Sequence, residues 1–361
     1  MTKRIGILTG GGDCPGLNAA IRAVVKHATS GHGYEVVGIQ DAFKGLYEGE
    51  TMLLPGEMVR GLLDRGGTIL GSSNRSNPFA YPLINEAGEV VVTDVSDRCV
   101  EQYRALGLEA LIVVGGDGTQ NMAHRLMAKG INVVGIPKTI DNDLEATEYT
   151  IGYQTAVNIA CEAIDRLHST AESHDRIIIC EVMGRYAGWI AMNAGISSGA
   201  EVILIPEIDY DIDRVIASFE RRRKKGISFS IVVVAEGAKP RGGEHAVVEA
   251  AAATHEARLG GAGERLAREV RERTAFDVRT TVLGHVQRGG TPSAFDRLLA
   301  TRFGVTAVEL VAKGKFGRVA ALQAGQVVDV PMGLAVAKLK RVDPEGPLAN
   351  TARALGIELG F

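Results

Sequence analysis

The chain of 361 residues is 45% hydrophobic and 23% charged. That composition excludes a disordered or collagen-like polypeptide, and at about 100–200 residues per domain it makes two domains the natural expectation. A formal net charge of −3 excludes the strongly basic footprint of a nucleic-acid-binding protein, yet leaves local Arg and Lys clusters free to serve an anionic substrate.

Cys14, Cys99, Cys161 and Cys180 are scattered, with no C-x-x-C pair and no His at metal-ligand spacing. Neither a disulfide framework nor a zinc site is therefore expected. Met1-Thr2-Lys3-Arg4 leads into a short apolar run rather than the longer segment of a signal peptide. No stretch reaches the roughly 18–20 apolar residues of a membrane span. A cytoplasmic protein with no membrane partner is expected.

In chain order, Ile5–Thr9 reads as a strand, the glycine-rich stretch Thr9–Gly16 as a turn and Leu17–Lys26 as a helix. Glu35–Ile39 and Ala110–Val114 follow as strands. Gly115-Gly116-Asp117-Gly118-Thr119 is the next turn, leading to a helix at Asn121–Lys129. Val133–Ile136 is a strand that runs into the polar loop Pro137–Asp143, with a helix at Ala156–Leu167 beyond it. Arg176–Val182, Glu201–Ile205 and Phe229–Ala235 are further strands, and Ala262–Arg273 is a helix. The strands are continuously apolar rather than alternating, as in a parallel sheet covered on both faces, so a doubly wound α/β architecture is predicted. Gly237–Gly243 and Gly260–Gly263 read as surface loops, Ala250–Ala253 as helix. No repeat at a period of about 20–50 residues suggests a solenoid.

Three segments carry chemistry. The turn at Thr9–Gly16 offers backbone N–H groups and a helix N-terminus to a phosphate. It fits neither G-x-G-x-x-G nor G-x-x-x-x-G-K-[ST], so a dinucleotide fold and a P-loop kinase are disfavoured. In the second turn Gly116, Gly118 and Thr119 can cradle phosphates around the single carboxylate of Asp117, a candidate Mg2+ ligand. In Pro137-Lys138-Thr139-Ile140-Asp141-Asn142-Asp143, Asp141 is the candidate base for an attacking hydroxyl and Asp143 an orienting or metal-assisting group. An Asx-turn is the bland alternative. Downstream, Arg176, Met183-Gly184-Arg185 and Arg279–Gly290 supply cations whose planar forks match phosphate geometry.

From Ile5 to about residue 320 the chain resembles the bacterial 6-phosphofructokinase family. The matching motifs, in the family's order, are Gly11-Gly12-Asp13 with Pro15-Gly16, Gly67–Ser72, Gly115–Thr119, Thr139–Asp143, Met183–Arg185, Ala235-Glu236-Gly237 and Leu283–Gly290. The resemblance implies two Rossmann-like three-layer α/β/α domains with mostly parallel sheets and an active site in the cleft between them. The donor domain would take residues 1–152 and about 285–335, the sugar-phosphate domain 153–284 and about 336–361.

By the same resemblance Gly12, Arg75, Gly116, Asp117, Gly118, Thr119 and Lys138 would bind the phosphoryl donor, with Mg2+ on Asp117. Asp141, Arg185 and Thr139 would be catalytic. Thr139, Ile140, Asp141, Met183, Gly184, Arg185, Glu236, His285, Val286, Gln287 and Arg288 would hold fructose 6-phosphate. Arg176 and Arg279 would reach into a neighbouring subunit's site, which implies a homodimer or homotetramer. The implied activity is ATP-dependent phosphorylation of fructose 6-phosphate in glycolysis. The rivals are a pyrophosphate-dependent reversible enzyme and a non-catalytic sugar-phosphate-sensing subunit.

Gly118 and Lys138 point to different donors. Glycine leaves room for a nucleotide α-phosphate that an aspartate would crowd and repel, whereas lysine stands at Lys138 in the pyrophosphate enzymes of the family. A flexible lysine can swing, so Gly118 decides for ATP. Arg75 takes, one position late, the arginine of the family's donor loop. At the family's effector site Arg22 and Lys26 are kept while Gly56 and His168 replace two cations, so weak or absent effector regulation is expected.

Overall fold

The computed structural model describes residues 2–249 and 258–361; the helix expected at Ala250–Ala253 lies outside the described residues. These fall into two compact units. One takes residues 2–154 and 288–339, the other 155–249, 258–287 and 340–361.

The first unit is built on a seven-stranded sheet. Its spatial order is Gln326–Pro331, Arg318–Gln323, Val133–Pro137, Leu108–Gly115, Arg4–Thr9, Glu35–Ile39 and Thr51–Leu53. The five inner strands are parallel and each edge strand is antiparallel to its neighbour. Ile5, Ile7, Leu8 and Leu111–Val114 are fully buried, so the apolar runs have both faces covered and period-2 alternation is absent. From Arg4–Thr9 the chain goes first to Glu35–Ile39 on one side and later to Leu108–Gly115 on the other. The loops after Arg4–Thr9 and Leu108–Gly115 therefore diverge at the switch point where doubly wound sheets bind ligands.

Two helices of this unit run side by side in the same direction, Leu17–His32 and Ala294–Ala312. A Cβ on Gly304 would lie 2.7 Å from the Cβ of Ala23, so only glycine permits that approach. Leu17–His32 ends at Gly33 in the left-handed region (φ 65°), its N–H returning to the Thr29 carbonyl.

The second unit carries four parallel strands, ordered Val278–Val282, Ile177–Val182, Ser230–Ala235 and Val202–Leu204. Its core gathers Ile177, Ile179, Val232, Val234, Tyr210, Phe219, Leu266 and Val270. Gly260–Gly263 is not simply a surface loop: the helix Ala262–Arg273 starts inside it. The buried Glu181 carboxylate accepts from the N–H groups of Gly261 and Gly263, satisfying two donors at that helix start. Likewise Gly237 is buried, because a Cβ there would meet the Arg185 carbonyl oxygen at 2.0 Å.

Candidate active site

In the first unit the Gly10–Asp13 turn is held by its carbonyls. Lys138 Nζ donates to Gly10 O at 2.8 Å and to Gly12 O at 2.5 Å, and Arg288 Nη1 donates to Asp13 O at 3.2 Å. In a trans peptide the C=O and N–H point opposite ways, so anchoring the carbonyls of Gly12 and Asp13 turns the N–H groups of Asp13 and Cys14 away from those cations. Gly11 (φ +79°) is clamped by the segment behind it: its N–H donates to Ser73 O at 3.0 Å, and Ser72 Oγ donates to its carbonyl at 2.5 Å. Thr9 Oγ1 donates to Gly71 O at 2.7 Å and lies 2.9 Å from Thr68 Oγ1. Nothing local in the sequence signals this Thr9 anchor, although Thr68 stands in the Gly67–Ser72 motif. Arg75, two residues beyond Ser73, is exposed.

Lys138 itself is 2% exposed, and burial pulls its pKa below the usual lysine value, with Arg288 adding to the effect. The expectation of a lysine free to swing is thereby corrected: its ammonium is committed to two backbone carbonyls of the turn.

The second turn begins a helix earlier than expected, at Asp117 rather than Asn121, with Gly116 at the N-cap and no side-chain cap. The uncapped N–H groups of its first turn are thus available to an anion. The Thr119 side chain explains two glycines: a Cβ on Gly10 would lie 2.7 Å from it and one on Gly115 2.4 Å. Gly118 is different. Its φ is not positive and a Cβ would meet nothing within 4 Å, so the protein itself does not require glycine there.

In the third loop the asparagine is the strut and the aspartates flank it. Asn142 sits at φ +53°; its Nδ2 donates to Glu148 O at 3.1 Å, and its Oδ1 accepts from the Thr150 N–H at 3.0 Å. The Asp141 N–H donates to Thr139 Oγ1 at 3.2 Å, and Ile140 is fully buried. Burial, then the charge of Asp141 and more weakly that of Asp117, push the Asp143 carboxyl up to about 7. Its Oδ1 is buried without a hydrogen-bond partner. An orphaned carboxylate oxygen beside the negative charge of Asp141 and, more weakly, of Asp117 has the hard-oxygen chemistry that suits Mg2+.

In the second unit the carboxyl ends of Ile177–Val182, Ser230–Ala235 and Val278–Val282 bring another set together. Gly184 is left-handed (φ +137°), the Gly237 N–H donates to its carbonyl, and Glu236 donates its N–H to Val182 O. The fully buried Gln287 accepts from the Met183 N–H at 3.4 Å. Arg185 and Glu236 are partly exposed, His285 and Val286 exposed. Arg176 and Arg279 do not join this set. Both pair with Asp277, where Val278 lies opposite Ile177, at the amino end of the same strands. A strand of five or six residues separates the two ends by about 17–20 Å.

The sequence profile described as Phosphofructokinase matches residues 4–311. The chain belongs to the phosphofructokinase family. It is similar to ATP-dependent 6-phosphofructokinase 2 of Clostridium perfringens, with 50% identity over 357 residues covering 98% of each chain. It is also similar to the pyrophosphate–fructose 6-phosphate 1-phosphotransferase of Streptomyces coelicolor, with 52% identity covering 94% of this chain and 96% of that one. The fold matches a pyrophosphate-dependent phosphofructokinase from Nitrosospira multiformis at a TM-score of 0.80 and 20% identity, covering 99% and 93% of the two chains. In this phosphofructokinase Arg22, Lys26 and Gly56 line one cavity of about 360 Å3, to which Arg60 adds a cation that the sequence reading had not counted. His168 instead bonds the Ser198 carbonyl at 2.7 Å.

Proposed function

We propose that this phosphofructokinase transfers the γ-phosphoryl group of ATP to the 1-hydroxyl of fructose 6-phosphate, the committing step of glycolysis. The observation that carries the donor is the pairing of an open Gly118 with a committed Lys138. The glycine is not needed by the backbone, so what it keeps is space beside the phosphates. The lysine is used up in shaping the Gly10–Asp13 turn, so its presence does not by itself call for pyrophosphate. Relatives of nearly equal similarity carry both names, which makes pyrophosphate the second reading.

In the first unit the amides of the two glycine turns neutralise donor phosphate charge, and Asp141 takes the proton of the attacking hydroxyl. Asp117 would hold Mg2+ on the donor, where the ion supplies charge neutralisation and alignment of the phosphates. In the second unit Arg185, Glu236, His285 and the Met183-Gly184 backbone orient the sugar phosphate; Thr139 and Arg288 of the first unit are further candidates for the same substrate. Arg176 and Arg279, at the far end of their strands, serve a neighbouring copy of the chain in a homo-oligomer.

Purified protein assayed with ATP and with pyrophosphate at fixed fructose 6-phosphate tests the reading: kcat/KM is expected to be higher with ATP. Faster turnover with pyrophosphate would hand the donor to the second reading. Turnover with neither would favour the sensing subunit.

A further inference from the structure

The parallel helices Leu17–His32 and Ala294–Ala312 meet at Ala23 and Gly304. His27 lies one turn beyond Ala23, on the face that meets the other helix, and Glu309, five residues beyond Gly304, reaches it from the flank of its own helix. His27 Nε2 lies 2.8 Å from Glu309 Oε1, and His32 Nε2, at the last residue of its helix, lies 3.0 Å from the same oxygen. The three ligand atoms fall within 4.8 Å of one another and form the one such His/Cys/Asp/Glu cluster among the described residues. Their side chains are a quarter to a third exposed, at 29%, 24% and 34%, which leaves room for water ligands.

We propose that His27, His32 and Glu309 form a binding site for a borderline divalent transition metal, Zn2+ or Co2+, that clamps these two helices together. Two imidazoles and one carboxylate favour such ions over Mg2+, which takes oxygen ligands. An independent feature points the same way: the cluster stands at the carboxyl ends of two parallel helices, whose aligned dipoles favour a cation there. Tyr34 stacks on the His32 ring with centroids 5.4 Å apart and helps to fix it. Lys313 Nζ, 3.3 Å from Glu309 Oε2, is 62% exposed and is displaced outward when the ion enters. At about 1.5 Å per residue the helix places His27 about 15 Å and His32 about 22 Å beyond its start after the Gly10–Asp13 turn. The ion therefore ties down the helices that follow the donor loops without touching the reacting groups. The H-x4-H spacing of His27 and His32 thus corrects the expectation that no His stands at metal-ligand spacing; the third ligand was hidden because the carboxylate comes from 277 residues beyond His32.

The test is titration of the full chain, freed of metal with EDTA, with Co2+ alone. Saturable visible absorption at one equivalent is expected, without thiolate charge-transfer bands, displaced by Zn2+ but not by excess Mg2+. His27→Gln with His32→Gln keeps hydrogen-bond donors to Glu309 and should fold and turn over as wild type while losing the absorption. His27→Gln alone should weaken binding at least about tenfold, in line with loss of a metal ligand. No saturable absorption, the same absorption in the double variant, or thiolate bands would overturn the proposal.

Discussion

Lys138→Met isolates the contribution of the cation beneath the first glycine turn. The substitution keeps the length and apolar stem of the side chain but removes both hydrogen bonds, at 2.8 Å to Gly10 O and 2.5 Å to Gly12 O. Bonds from a charged donor contribute about 1.5–3 kcal/mol each, so the turn loses at least about 3 kcal/mol of ordering. Against this, methionine does not bear the several kcal/mol of desolvation that a fully buried ammonium carries. The two offset in the global balance, and the melting temperature should stay within a few degrees of wild type.

The donor feels only the first of these effects, because its binding must now restore the shape of the turn and the orientation of the Asp13 amide. About 3 kcal/mol corresponds to roughly a hundredfold loss of kcat/KM for ATP at 1.4 kcal/mol per decade. The assay couples fructose 1,6-bisphosphate formation to NADH oxidation over a range of ATP concentrations, with calorimetry on the same samples. Wild-type kcat/KM for ATP in Lys138→Met would refute the view that this lysine shapes the turn. A loss confined to pyrophosphate would show instead that it contacts the donor.

Three further outcomes follow from the same geometry. Gly118→Asp should leave the melting temperature unchanged, since its Cβ meets nothing within 4 Å, while lowering kcat/KM for ATP at least about tenfold through repulsion of the donor phosphates; equal ATP kinetics would remove Gly118 from the donor argument. Asp141→Asn should cut kcat by about 10²–10⁴-fold with the fold intact, and near wild-type turnover would sink its assignment as base.

Asp143 bears on stability. Its folded pKa lies above the ordinary 3.8, so between about 4 and 7 the folded state binds more protons than the unfolded one, and stability falls as pH rises through that window. Metal-free Asp143→Asn should therefore melt higher than wild type at pH 8, with the gap closing toward pH 4; parallel melting curves across that range would contradict the burial argument.

Much of the architecture was legible in the residues. Runs such as Leu111–Val114 are apolar on both faces because helices cover both, and the glycine turns mark where those strands end. Strands that lack this signature escaped. Val278–Val282 is half exposed, Thr51–Leu53 is an edge of three residues, and Arg318–Gln323 has a buried run of only four residues, two of them alanines.

The candidate site divides along the same line. Asp117, Asp141, Gly184 and Arg185 could be chosen from short segments, because the demands on them are local: a carboxylate after a strand, a left-handed glycine, a guanidinium for an anion. The work of Lys138 and Arg288 could not, since their partners lie 126–128 and 275 residues away in the chain. Nor could the separation of Arg176 and Arg279 from Arg185, which depends on which end of a parallel strand each occupies. Residue type and local spacing specify what a side chain is able to do. Which carbonyl, carboxylate or strand end it meets is set by packing between segments remote in sequence, and only the folded chain supplies that.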